Sequence, residues 1–446
     1  MRIIARITRV VVILGFLCLV FQVPAVHSQI SDFWATREAT ITTDRNAPKI
    51  KVGIWDSGVD VDLFKGRIAT DSRGKILVRG YDSFKIRKDT AMAGLPPEIL
   101  ARRDELNSHL KAFDDLDGGV DSAEARALDA RLKKMSKKDE DEFYELVDLW
   151  SGYSHGTAVA DIALSGNPNA LAIVARMEWW HGSPPVPCWT RELADRETKS
   201  IGDLLRFLVE NGARVVNMSW GRFESSYTGA LKKCSPSVPE SERNQLARYT
   251  VEKIRKVLQD GMKASPNVLY VGAAGNSGTS IEAANPATRF SLPNFLIVGA
   301  VDRNGAKAKF TNTGSEVTLY ANGERVPARM PGGEISFPSG TSMAVPNVVN
   351  TAVKMLTVAP RLTGAEMRKL LEQTADANIT GQKMIHPARA VEAARSTRHE
   401  FRRHHHRRRR AHRKLCDRER RAGFEAVERD TVYNRVERIA RVTRSE

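Results

Sequence analysis

The sequence predicts an α/β domain with a mostly parallel central sheet and helices on both faces. Three observations carry that reading. The first is a set of short, unbroken apolar runs at 51–55, 76–78, 171–175, 214–218, 268–271 and 295–298. Continuous runs of this length suit strands covered on both faces, whereas one-sided strands alternate. The second is helical periodicity between the runs. Ile201, Leu204, Leu205 and Leu208 share a face, with Gly212 placed to cap the helix. Leu246, Thr250, Ile254 and Val257 form another stripe that ends before Pro266. The third is the alternation itself, strand then helix, which builds parallel sheets. With 446 residues, 41% of them hydrophobic, the chain can bury a large core.

Residues 85–150 interrupt the alternation. They are charged and poor in strand formers, and read as a helical insertion with helices starting near Pro97, Ser122 and Lys138. Inside it, Asp115, Asp117, Gly118, Val120, Asp121 and Glu124 fall at six positions of an EF-hand calcium loop. The first ligand position is Phe113, which has no oxygen to offer. The motif for a structural calcium is therefore incomplete. The alternative is an acidic helix–helix turn in which Ser122 caps the next helix.

The two ends stand apart. Arg2, Arg6 and Arg9 precede an apolar run at 10–21, and Val26-His27-Ser28 follows, with 23–25 as a second cleavage option. This is the pattern of a signal peptide over residues 1–28, implying a secreted or periplasmic protein. An uncleaved anchor would need roughly 20 apolar residues, more than the run supplies. Cys18, behind the bulky Leu17, does not suit lipid attachment. Residues 29–46 form a short segment before the first strand.

Of the net charge of +16, residues 398–421 hold twelve Lys/Arg against three acids, and residues 1–28 hold three Arg. The body is thus nearly neutral, and the basicity belongs to a tail at 396–446. That tail reads as a solvated charged helix, as a non-specific polyanion binder through 398–421, or as a metal-binding tract through His404, His405 and His406. Val432, Val436 and Ile439 lie at helical spacing behind it. The four cysteines are too few for a disulfide scaffold. Cys188 and Cys234 are either bridged or free thiols, and Cys416 is left over in the tail.

Four segments carry chemistry. Asp56-Ser57-Gly58-Val59 follows the first strand. His155-Gly156-Thr157-Ala158-Val159-Ala160 is expected where a turn enters a helix. Ala273-Ala274-Gly275-Asn276-Ser277-Gly278 follows the strand at 268–271. Ser339-Gly340-Thr341-Ser342-Met343-Ala344-Val345-Pro346 opens a helix ending near Thr357, with Pro346 expected in its first turn. Functional groups of a parallel sheet gather at strand carboxyl ends. A helix start supplies unpaired N–H groups for developing negative charge. His109, His181 and His386 have no partners in sequence and read as structural or solvent-facing.

Together these segments strongly resemble the subtilisin-like serine proteases, the subtilases, over residues 47–395. The order Asp, His, Ser is that family's order. The resemblance implies a subtilisin-like fold and a serine endopeptidase acting through an acyl-enzyme. Asp56, His155 and Ser342 would be its triad, Asn276 its oxyanion-hole donor, and Ser219-Trp220-Gly221 its substrate-pairing strand edge. It implies polypeptide substrates and no required cofactor. The 99 positions between Asp56 and His155 exceed the spacing in compact members; the insertion accounts for the excess and, joining two triad-bearing segments, should sit near the active-site face. Ala158 stands where many members have a second His. Many secreted members also carry a folded prodomain, but the eighteen residues of 29–46 fall below the usual floor of about 40 for independent folding.

Overall fold

The computed structural model describes residues 32–41, 47–178, 187–281 and 290–397. The signal-peptide, basic-tail, Cys416 and His181 readings lie outside these residues. Among them no helix is long and apolar enough to cross a membrane.

Seven strands form the body of the sheet: β1 (Ile50–Asp56), β2 (Val78–Tyr81), β3 (Ala170–Met177), β4 (Val215–Met218), β5 (Leu269–Ala273), β6 (Phe295–Val301) and β7 (Val317–Asn322). Their spatial order is β7-β6-β5-β4-β1-β3-β2, all neighbours parallel. Two short strands, Asp376–Ala377 and Lys383–Met384, extend the β7 edge. The expected run at 76–78 is shifted: only Val78 is in a strand, which continues to Tyr81. β7 had no continuous apolar run to announce it; its centre is buried but Thr318 and Asn322 are polar.

The sheet divides two cores. Along β1, Val52 and Ile54 point to one side and Trp55 to the other. Along β3, Ala172 and Val174 oppose Ile173 and Ala175. The first side is covered by α5 (Lys137–Leu164) and α9 (Thr341–Val358). The second is covered by α6 (Arg191–Glu210) and α8 (Glu240–Lys263). The stripe Ile201, Leu204, Leu205, Leu208 is buried as its spacing requires, and Gly212 follows the helix with φ +81°. At about 25 cal/mol per Å² of apolar surface removed from water, such continuous burial on both faces dominates the stability of the sheet.

Helices α2 (Pro97–Leu100), α3 (Arg103–Asp117) and α4 (Ala123–Leu132) lead into α5. The Ser122 hydroxyl accepts from the Ala125 N–H and caps α4. Asp115 is helical and fully buried, 3.4 Å from Arg325, so the segment is a helix–turn–helix and not a twelve-residue calcium loop. One expectation is corrected here. His155 does not follow a turn. The last insertion helix runs without a break for 28 residues, from its Ser136 cap through His155 to Leu164.

The short N-terminal segment docks on this body. Ala39 and Ile41 enter the core, Arg37 pairs with Asp376, and Glu38 meets the buried Lys354 of α9. Cys188 and Cys234 are bridged, tying the approach to α6 to the end of α7 (Glu224–Cys234).

Candidate active site

Asp56, Ser219 and Asn276 lie at or just beyond the carboxyl ends of β1, β4 and β5, three adjacent parallel strands. β1 is also where the chain order reverses, with β3 on one side and β4 on the other. Crevices form at such points.

The His155 ring meets Asp56 because α5 sits unusually close to the loop after β1. A Cβ on Gly156 would lie 2.2 Å from the Gly58 carbonyl oxygen and 3.1 Å from the Asp56 Cβ. Only glycine permits that approach. Two hydrogen bonds then fix the contact: Gly156 N–H to the Ser57 hydroxyl at 3.1 Å, and Asp60 N–H to the Thr157 hydroxyl at 3.0 Å. The result is a His155 Nδ1···Asp56 Oδ1 separation of 2.7 Å, with the Asp56 side chain fully buried and His155 reaching the surface. Asp56 Oδ1 also accepts from the Ser57 N–H at 2.8 Å.

Ser342 is the second residue of α9, whose cap is Gly340 at φ +146°. Pro346 is therefore the sixth helical residue and not in the first turn as expected. Its missing N–H leaves the Ser342 carbonyl without its helical donor. The Ser219 hydroxyl fills the gap at 2.7 Å, itself held by the Asn217 side-chain amide at 2.9 Å. In return the Ser342 hydroxyl donates to the Ser219 carbonyl at 3.1 Å. The strand edge and the helix start are thus locked together. Trp220 is buried against Trp55, with ring centroids 5.0 Å apart, so its segment presents backbone, together with Gly221, to the cleft.

The Asn276 amide has a forced orientation. Its Oδ1 accepts from both the Thr341 N–H at 2.9 Å and the Thr341 hydroxyl at 2.7 Å. Its Nδ2 is left to face Gly340: a Cβ there would lie 3.2 Å from Nδ2 and 3.7 Å from the Ser342 nitrogen. Two N–H donors therefore converge on one spot that a side chain at 340 would obstruct.

His155, Asn276 and Ser342 line one cavity of about 210 Å³. Its other walls include Phe310, Met343 and, from α3, Phe113, Asp114 and Asp117. The α3 residues were not singled out for this site from the sequence, where the acidic stretch read only as a turn or a broken calcium motif. Among the described residues no group of three or more His, Cys, Asp or Glu is arranged to hold a metal ion. His109 packs edge-on to Phe143, and both it and the half-buried His386 are held below the usual histidine range by burial first and neighbouring arginines second.

The family model described as Peptidase_S8, subtilase family, matches residues 47–403. Subtilisin amylosacchariticus from Bacillus subtilis subsp. amylosacchariticus is 28% identical over 228 residues, covering 50% of this chain and 51% of that one. A thermostable alkaline protease from Halalkalibacterium halodurans is 26% identical over 246 residues, covering 53% and 58% respectively. The chain thus spans little more than half the length of these curated relatives. Among solved structures, a cold-adapted subtilisin-like serine proteinase superposes with a TM-score of 0.45 at 18% identity, covering 78% of this chain and 95% of that one. With its sheet order, its Asp56–His155 contact and a family match across most of its length, the chain belongs to the subtilase family.

Proposed function

We propose that the protein is an extracytoplasmic serine endopeptidase with Asp56, His155 and Ser342 as its triad. The observation that carries this reading is the 2.7 Å His155–Asp56 contact beside a serine at a helix start, in a shared cavity with Asn276. A serine hydroxyl is a weak nucleophile without a base. Asp56 holds Nδ1–H of His155, which leaves Nε2 as the base. As Ser342 Oγ bonds to the scissile carbonyl carbon, His155 takes the hydroxyl proton. The oxyanion is met by Asn276 Nδ2–H and the Ser342 N–H. Collapse breaks the C–N bond, and His155 returns the proton to the departing amine. Water, activated by the same base, hydrolyses the ester and restores Ser342. No metal is needed in these steps.

The acyl half of the substrate pairs with Ser219, Trp220 and Gly221 as an added strand. A substrate N–H bonded to the Ser219 carbonyl would displace the Ser342 hydroxyl from that acceptor and free it for His155.

A fluorophosphonate should label Ser342 alone, and Ser342→Ala or His155→Ala should lower peptide turnover by on the order of 10⁴-fold or more, since triad members act as a unit. Measured hydrolysis that survives in Ser342→Ala, or labelling at another serine, refutes the assignment.

A further inference from the structure

Ser342 divides the cleft. The acyl half of a substrate lies on the strand edge at 219–221. The 210 Å³ cavity contains His155 but none of Ser219, Trp220 or Gly221. His155 protonates the departing amine, so this cavity faces the leaving-group half, and a substrate side chain must enter it. Resting on the endopeptidase reading, we propose that Asp114 and Asp117 of α3 make this half a cation-selective subsite, so that bonds followed by lysine or arginine are cut preferentially.

The lining matches such a side chain along its length. Phe113, Phe310 and Met343 provide apolar walls for a methylene stem, and the two carboxylates stand at the α3 side for its charged head. The charge pattern around them is selective. Nearby acids on the same insertion are paired, Asp115 with Arg325 and Glu124 with Lys111. Asp114 and Asp117 form no ion pair with any Lys, Arg or His among the described residues. The exposed Lys309 stands beside Gly119, outside the cavity lining. Asp114 is half-buried in the cavity wall. Burial first, then the Asp115 and Asp117 carboxylates, push it well above the usual carboxylate range, and only the Ser339 backbone N–H opposes the rise. A half-buried acid among like charges favours a cation brought from outside. Both residues belong to the insertion, so this selectivity comes with the added helices and not with the sheet.

The test compares two internally quenched peptides that differ only in lysine or norleucine directly after the scissile bond, with the cut confirmed by mass spectrometry. The full-length protein should favour the lysine peptide about tenfold in kcat/KM. Asp114→Asn/Asp117→Asn should bring that ratio close to one, and Asp117→Asn alone, at an exposed position, should lower it part of the way. Each ratio is taken within one preparation, so it does not depend on the folded fraction. A wild-type ratio near one, or a ratio unchanged in both variants, overturns the subsite. If the wild type cuts neither these peptides nor a random library, the endopeptidase reading itself fails and the subsite falls with it.

Discussion

The two sides of Ser342 handle charge in opposite ways. Beside Gly221, on the proposed acyl side, Glu197 is buried but fully answered: Arg222 bonds it at 2.8 Å, Tyr227 at 3.1 Å, and Lys85 lies 3.9 Å away. Arg222 also stacks on Trp220 and donates to the Gly221 carbonyl. On the proposed leaving-group side, Asp114 and Asp117 line the cavity with no basic partner among the described residues. A paired buried charge is a structural part that shapes a wall. An unpaired one lining a candidate site stays available to a ligand, at some cost in stability.

The largest expected effect breaks the paired side. Arg222→Met would strand Glu197 with only Lys85 and Tyr227, and should destabilise the protein by about 3 kcal/mol. The sign with pH follows from Glu197. Burial opposes its charge, yet Arg222 and Lys85 hold it below its ordinary value. A lowered carboxylate stabilises above its unfolded pKa of about 4.3 and loses that contribution as pH falls through the folded value. The gap in Tm between wild type and variant should therefore be widest near neutrality and shrink toward pH 4. A gap that does not change with pH would mean that packing, not charge, was lost.

A smaller effect is expected where the strand edge meets the helix. Ser219→Ala removes the donor to the Ser342 carbonyl and leaves the Asn217 amide without its acceptor. Two stranded groups should cost about 2 kcal/mol in urea unfolding, with kcat falling as Ser342 loosens. Full stability in this variant would show that the Pro346 gap is tolerated without Ser219.

The smallest effect has the opposite sign. Asp114→Asn should raise Tm slightly at pH 7. A carboxylate raised on folding contributes fully below its unfolded pKa of about 3.9, and that contribution is lost as pH climbs through the folded value. The gain should therefore vanish toward pH 4. Asp115 and Asp117 supply the repulsion, and Arg325 is committed to Asp115. A destabilised Asp114→Asn at pH 7 would mean that the group is already answered, and the contrast between the two sides would collapse.

Much of the scaffold was readable in one dimension. Unbroken apolar runs marked five strands to within three residues at either end, because a strand buried on both faces leaves no room for polar alternation. The β2 run was misplaced and β7 missed, since edge and mixed strands carry weaker patterns. A turn is expected to enter a helix at His155-Gly156-Thr157, yet tertiary packing carries α5 straight through that segment.

The sequence by itself supplied the proposed chemical inventory: Asp56 at a strand end, Asn276 just beyond one, Ser342 at a helix start, and His155, whose place inside a continuous helix it did not give. Only the tertiary structure decided what surrounds them. Pairs such as Asp56–His155, 99 positions apart, and Ser219–Ser342, 123 apart, meet through sheet order and helix packing. The contact of Glu38 with Lys354, 316 positions away, has the same origin. The insertion's connection to the segments bearing Asp56 and His155 put it near the site, but only the packing of α3 decided that Asp114 lines the cavity. Local propensity acts over a few residues, whereas a catalytic cavity is closed by groups that only the folded chain brings together.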